Sequence, residues 1–276
     1  MGFPFAWHIF AIPAWTDYFN LSFKTIAMYQ LSEISTRAPK DLEKDEVKEA
    51  TAKLLDELDE LQNLLYAEAK HSILVVLQAP DAGGKDGAIR KVFGRINPQG
   101  VRVQSFKKPT EEELAHDFLW RIHQHAPQRG MIQVFNRSHY EDVLITRVHG
   151  LIDDATAHRR FKTINHFEQM LREENNTQIL KFYLHISPEE QRERLEERMH
   201  IPRKMWKYND ADFKEAERWD DYRKAYEDIF EHCNKIPWTI VPSDQNWYKE
   251  HLIAAKLHET LTGLKMEYPL LPTHRL

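Results

Sequence analysis

Disulfide chemistry is closed to this chain. It carries one cysteine, Cys233, so no intramolecular bridge can form, and a reducing, cytoplasmic setting is expected. An excess of basic charge is missing too. A net charge of -5 excludes a protein that wraps nucleic acid over its whole surface, while leaving room for a local basic groove. Long apolar runs are also lacking. A membrane span needs roughly 20 uninterrupted apolar residues, and residues 1–27, MGFPFAWHIFAIPAWTDYFNLSFKTIA, are broken by Pro13 and Asp17. The same stretch has no basic segment ahead of its apolar residues, as a secretory signal would. Neither a nucleic acid nor a membrane is expected as a partner. Residues 1–27 read as a packing arm or extension, or as sequence upstream of a true start at Met28.

What is present describes a globular protein. Hydrophobic residues make up 42% and charged residues 29% of 276 positions, enough to bury a full core. No repeat or low-complexity linker divides residues 28–276, which read as a single domain. Apolar residues recur at helical spacing from Asp41 to Lys70. Ser72 to Ala79 is a short, continuous apolar run, the pattern of a strand buried on both faces. Further strands are predicted at Val101–Phe106, Met131–Phe135, Gln178–Ile186 and Trp238–Val241. Helices are predicted over 85–96, 110–125, 155–174, from Ser187-Pro188 onward, and over 212–233 and 245–262. Strands alternating with helices imply an α/β fold, a five-stranded parallel sheet with helices on both faces in three layers.

The most informative stretch is LVVLQAPDAGGKDGAIRKVF, Leu74 to Phe93. A buried strand runs into Gly83, Gly84, Lys85 and Gly87, and a helix follows. Glycines let backbone N–H groups converge, the helix adds its positive end, and Lys85 supplies a point charge; together these form a phosphate cradle. The usual pattern has a glycine where Ala79 stands and a Ser or Thr where Asp86 stands. Asp81 and Asp86 add carboxylates suited to Mg2+, with Mn2+ as a substitute. Ala82 completes the loop and Arg90 lies on its helix.

Two more clusters point the same way. FNRSHYED, Phe135 to Asp142, follows the third strand and so reaches the same sheet edge. Arg137 can clamp a phosphate bidentately, Asn136 accompanies it, and Glu141 or Asp142 can hold the metal together with Asp81. RERLEERMHIPRKMWKYNDADF concentrates Arg192, Arg194, Arg198, Arg203, Lys204 and Lys207 where Pro202 breaks the helical pattern. A basic lid at about 199–213 is expected, with Arg194, Arg198, Lys204 and Lys207 turned to an anion. His139 reads as a packing or surface residue rather than a ligand, and Cys233 as inert. Trp219, Tyr222 and Tyr226 read as core rather than as a base-stacking surface. Catalytic roles fall to Asp81, Lys85, Arg137 and Asp142.

APDAGGKDGAIR, NPQGVRV, SFKKPTEEELAHDFLWRIHQHAP and FNRSHYEDVL, in this order and followed by the basic lid, resemble family-2 polyphosphate kinases from about Gln30 to Tyr268. The resemblance implies a P-loop kinase fold. It also implies Mg2+-dependent, reversible phosphoryl transfer between inorganic polyphosphate and nucleotides. Asp81–Gly87 then corresponds to the Walker A loop and Phe135–Asp142 to the Walker B region. The Glu141-Asp142 pair resembles the class that accepts AMP and ADP and yields ATP, with guanine nucleotides as further acceptors. A homodimer or homotetramer is implied as well. The alternative is an ATP-dependent P-loop kinase of another small phosphate acceptor.

Overall fold

The structure, a computed structural model, describes residues 30–270; the arm expected over 1–27 lies outside them. Five parallel strands stand in the order β2-β3-β1-β4-β5. They are β1 (Ser72–Gln78), β2 (Val101–Ser105), β3 (Ile132–Asn136), β4 (Thr177–His185) and β5 (Trp238–Pro242). β1 is central because every one of its residues is buried. It pairs with β3 from Ile73↔Ile132 and with β4 from Ser72↔Thr177.

Its side chains alternate between two cores, as the two-residue period of a strand requires. Ile73, Val75 and Leu77 join Leu55, Leu58 and Leu65 of α1 (Lys44–Glu68) and Ile253, Leu257 and Leu261 of α11 (Asn246–Gly263). Leu74 and Val76 join the opposite core, with Phe161 and Ile164 of α6 (Asp154–Asn175) and Tyr226, Ile229 and Phe230 of α10 (Trp219–His232). The loop after β1 enters α2 (Lys85–Ala88) on the first face. The loop after β3 enters a 3-10 turn, His139–Val143, on the second. Their divergence opens a crevice above the carboxyl ends of adjacent strands, where ligands of such sheets bind. No helix among the described residues is long and apolar enough to cross a membrane.

Three expected helices are remodelled. The helix over 85–96 is α-helical only to Ala88 and then widens into a π-helical turn, Ile89–Phe93. The helix over 110–125 splits into α3 (Glu111–Leu114) and α4 (Trp120–His123). Thr110 and Glu113 form a capping box at its start. The break follows from Asp117, whose carboxylate accepts the Leu119 amide at 3.0 Å and so competes with helix continuation. The helix over 212–233 is α9 (Asp210–Ala216) followed by α10, interrupted where Arg218 leaves helical geometry and its guanidinium reaches Val148 O at 3.0 Å. Between them and β4 lie α7 (Pro188–His200) and α8 (Pro202–Met205); α5 (Ile145–Val148) follows the turn after β3.

One polar network lies wholly within the second core. Lys181 Nζ contacts Glu168 Oε2 at 2.9 Å and donates to Tyr140 Oη at 2.8 Å and Cys233 O at 2.9 Å. Tyr140 Oη donates to Glu168 Oε1 at 2.7 Å, and His139 Nε2 lies 3.2 Å from that oxygen. His139 is therefore a packing residue rather than a surface one. Burial pushes the Glu168 carboxyl up, but Lys181 and His139 outweigh it and hold the group down to about 2. Burial likewise pushes the Cys233 thiol up to about 12, which keeps it inert.

Removing one member of a buried ion pair strands its partner. Lys181→Met is expected to cost about 3–5 kcal/mol in urea unfolding; a loss under about 1 kcal/mol would show the network to be dispensable. Because the folded pKa of Glu168 lies below its unfolded value, its contribution is complete above the ordinary carboxylate range. That contribution should be lost as pH falls towards 2. A Glu168→Gln variant should show a flatter acid limb in unfolding free energy.

Candidate active site

The loop between β1 and α2 is shaped by two glycines. Gly83 donates its amide to Pro80 O at 3.1 Å, and a Cβ there would stand 2.6 Å from the Cβ of Ala79. Gly84 sits at φ +92, and a Cβ on it would run into Lys249 Nζ. Ala82 also takes a left-handed φ, +58, which a residue other than glycine adopts only when its surroundings impose it. The imposing groups lie behind the loop. Arg194 Nη1 donates to Ala82 O at 3.2 Å, and its Nη2 donates to Ser243 O at 2.8 Å and Asp244 O at 3.0 Å. Gln191 Nε2 donates to Asp81 O at 3.0 Å.

Arg194 was expected to act in the lid. It is instead a largely buried clamp on α7, its guanidinium committed to Glu190 and loop carbonyls. Lys249 of α11 is fully buried, with its ammonium donating to Asn246 Oδ1 at 2.7 Å. Burial and the nearby Arg194 charge push it down to about 8. Two cations thus underlie the cradle, neither visible as part of it from the loop sequence.

Lys85 points into the same loop. It is 8% exposed and donates to Ala79 O at 2.8 Å and Pro80 O at 3.2 Å. Burial, then the charge of Arg137, push its ammonium down to about 8 against Asp81, Glu141 and Asp86. No carboxylate among the described residues lies within ion-pair distance of it, so its charge stays available to an anion.

β3 delivers the second half of the site. Asn136 ends the strand and donates to Asp86 Oδ1 at 2.9 Å. Arg137 follows at φ +62, another left-handed residue, and its Nη2 donates to Asp81 Oδ1 at 2.6 Å. This pair joins the two loops. Burial works against the guanidinium charge, but Glu141 and Asp81 hold it above its ordinary value.

The adjacent acids then part. Glu141 lines a narrow cavity with Asp81, Arg137, Gln191, Glu215, Trp219, Tyr222 and Tyr226. Asp142 does not line it; its Oδ2 lies 3.5 Å from Arg121 Nη2, and Arg121 is itself buried against Lys107 O at 2.9 Å. Of the two acids expected beside Asp81, the structure brings Glu141 to the same cavity and turns Asp142 to Arg121. Burial raises both acids, opposed by Arg137 at Glu141 and by Arg121 at Asp142. Trp219, expected in the core, lines the cavity instead because α10 begins beside it; Tyr222 and Tyr226 belong to both, packing with the second core and lining the cavity.

The basic segment closes from above. Lys207 forms an ion pair with Asp86, and Arg198 donates to Asp212 Oδ2 at 2.5 Å and Lys207 O at 3.3 Å. Lys204 pairs with Glu197. Gly87 has open space over it, and Arg90 is exposed on the same side as Glu250, whose carboxyl feels it. Asp212 is a residue the sequence did not single out. Burial raises its carboxyl, and so does Asp81, which places a third acid near the first two. Asp81 raises the proton affinity of both Glu141 and Asp212, and Arg137 opposes it at each. The three are hard oxygen donors of the kind Mg2+ takes, although among the described residues the three acidic or histidine groups whose ligand atoms converge are Asp228, Glu231 and His232.

A parallel sheet whose central strand feeds a glycine–lysine loop, faced by an arginine and acids from the neighbouring strand, defines the P-loop phosphotransferase class. Residues 41–269 match the family model described as Polyphosphate kinase 2 (PPK2). The chain belongs to this family. It is 52% identical over 223 residues to the AMP/ADP-polyphosphate phosphotransferase of Meiothermus ruber, covering 80% of this chain and 83% of that one. It is 44% identical to the ADP-polyphosphate phosphotransferase of Rhodopseudomonas palustris, covering 78% and 79%. The crystal structure of polyphosphate kinase 2 from Arthrobacter aurescens TC1 superposes with a TM-score of 0.87 at 40% identity, covering 91% of both chains.

Gly84→Ala tests the packed underside of the loop. The left-handed φ and the collision with Lys249 are expected to cost about 1–3 kcal/mol of stability and to abolish phosphate binding, measured by thermal unfolding and by titration with tripolyphosphate. Unchanged affinity would show that the loop does not form the cradle.

Proposed function

We propose that this protein transfers phosphoryl groups reversibly between inorganic polyphosphate and nucleotides, taking AMP and ADP as acceptors and forming ATP. The observation that carries this reading is the joining of the two strand loops, Asp81 and Lys85 on one and Arg137 on the other, through the Arg137–Asp81 contact beside a cavity holding Glu141. The terminal phosphoryl of polyphosphate lies over the loop amides of Ala82 to Lys85. The Lys85 ammonium exchanges its two carbonyl partners for phosphate oxygens, and Arg137 holds the phosphate from the β3 side. Asp81 and Glu141 would hold Mg2+, which supplies neutralisation of charge on the phosphates; Mn2+ has the same ligand preference.

The acceptor phosphate is already anionic, so no strong general base is needed. Positioning and charge neutralisation carry the reaction, and orientation can supply about 7–11 kcal/mol of the barrier reduction. A second cavity of about 440 Å3 shares Pro80, Trp219 and Tyr222 with the first and continues past Ile34, Thr36, His185 and Arg223. It offers the nucleoside an aromatic wall and polar contacts.

Residues 199–213 act as the lid. The Lys207–Asp86 pair is more than half exposed on the acid side, and such pairs contribute no more than about 1 kcal/mol, so substrate phosphates can take Lys207 from Asp86. Arg198 and Lys204 steady the lid through Asp212 and Glu197. Guanine nucleotides as further acceptors, a cytoplasmic setting, a single domain over 28–276 and a homodimeric or homotetrameric assembly belong to the same reading.

Incubation of the purified protein with AMP, Mg2+ and polyphosphate as the sole phosphoryl donor should yield ADP and then ATP. Formation of ATP from ADP alone would reject AMP as an acceptor, and turnover only with an ATP donor would favour a conventional metabolite kinase. Lys85→Ala should keep the fold by circular dichroism and lower kcat/KM by at least roughly 10²–10³-fold; activity within a few-fold of the parent would refute its phosphate role.

A further inference from the structure

Gln78 is the last residue of β1 and stands where the strand alternation calls for an apolar side chain. It follows Leu74 and Val76 on the face turned to the second core. It is fully buried, and its Oε1 has no hydrogen-bond partner among the described residues. A buried amide left half unsatisfied lowers stability, so the reason for it lies in what its other end holds. Gln78 Nε2 donates to Ser138 Oγ at 3.1 Å. Ser138 is fully buried as well. Its Oγ also accepts the Tyr140 amide at 3.2 Å, which starts the 3-10 turn carrying Glu141.

The contact lies at the root of both loops of the active site. Asp81 comes three residues after Gln78, and Glu141 three after Ser138. One position earlier, Arg137 N donates to Leu77 O at 3.1 Å. Two successive residues of β1 thus grip the segment after β3, one through its backbone and one through its side chain. The Gln78 side chain also hydrogen-bonds the Glu141 carboxylate and favours its charged form. Glu141 has a competing attraction. Burial raises its carboxyl, and Arg137 is the foremost charge opposing that, yet the guanidinium forms its ion pair with Asp81. A carboxylate free to turn would close on Arg137 and abandon the cavity it shares with Asp81. The Gln78 amide offers it a neutral donor from the strand side instead.

We propose that Gln78 is a positioning residue for the metal. It holds the Glu141 carboxylate in the orientation that meets a divalent cation together with Asp81, and itself touches neither cation nor phosphate. The proposal rests on the metal-holding role given to Asp81 and Glu141 above. Polar groups behind a metal ligand fix its orientation, and removing one costs about 10–100-fold in metal affinity or activity.

The test uses the full chain with Mn2+ as the probe, its free concentration followed by electron paramagnetic resonance. Gln78→Met keeps the length of the side chain and removes both polar atoms. Its dissociation constant for Mn2+ should rise about 10–100-fold. The melting temperature should stay at or above that of the parent, because the orphaned oxygen is gone. Tripolyphosphate binding without metal should be unaltered, since the loop amides and Lys85 are untouched. In a Glu141→Gln background the same substitution should add no further loss of Mn2+ affinity, which separates action through Glu141 from general damage. Unchanged Mn2+ affinity in Gln78→Met, or a loss that simply adds to that of Glu141→Gln, would overturn the proposal. Mn2+ bound as tightly by Glu141→Gln as by the parent would instead reject the metal assignment beneath it.

Discussion

The balance of charge above β1 and β3 governs the rest of the molecule. Lys85 and Arg137 face Asp81, Glu141 and Asp212 within one crevice, and neither sign wins outright. The arginine is held firmly protonated while the lysine is pushed down to about 8. A crevice in that condition accepts an anion and a divalent cation together more readily than either alone, because each relieves the repulsion that the other would create. The backbone records the same demand. Ala82, Gly84 and Arg137 all take left-handed φ values within the two loops that build the site, and such strain persists only where surroundings over-determine it.

Those surroundings differ in stiffness above and below the loop. Beneath it, Lys249 is buried and Arg194 largely so, and the α7 and α11 helices that carry them pack into the main fold. Beside it, the Tyr140–Glu168–Lys181 network fixes the turn that presents Glu141. Above it, the basic segment is held by ion pairs that remain partly exposed, Lys207–Asp86 and Lys204–Glu197. A rigid floor with a loosely held cover suits a reaction that must exclude water during transfer and release a charged product afterwards.

Much of this was legible in the chain. The run of β1, the glycines and Lys85 gave the loop its place, and the apolar periods gave all five strands to within a residue or two at each end. The site residues adjoining β3 were legible as a group but not individually. Sequence adjacency makes Glu141 and Asp142 look interchangeable, whereas the 3-10 turn sends them to different partners, one to the cavity and one to Arg121. Arg194 read as part of a basic lid because its burial depends on the loop folding over α7. Lys249 has a signature in the sequence: it stands four, eight and twelve residues before Ile253, Leu257 and Leu261, on the buried stripe of α11. A lysine heading an apolar stripe must find a reason to be buried, and the underside of the loop supplies it. The helix breaks at Asp117 and Arg218 depended on contacts with distant backbone or on local side-chain competition, which periodicity does not register.

The most direct measurement is a crystal structure of the protein with Mg2+ and a short polyphosphate. The account predicts the terminal phosphate on the amides of residues 82–85, with Lys85 and Arg137 upon it and the metal held by Asp81 and Glu141. A metal on Asp142, or phosphate bound away from the loop with Lys85 still on the carbonyls of Ala79 and Pro80, would contradict it.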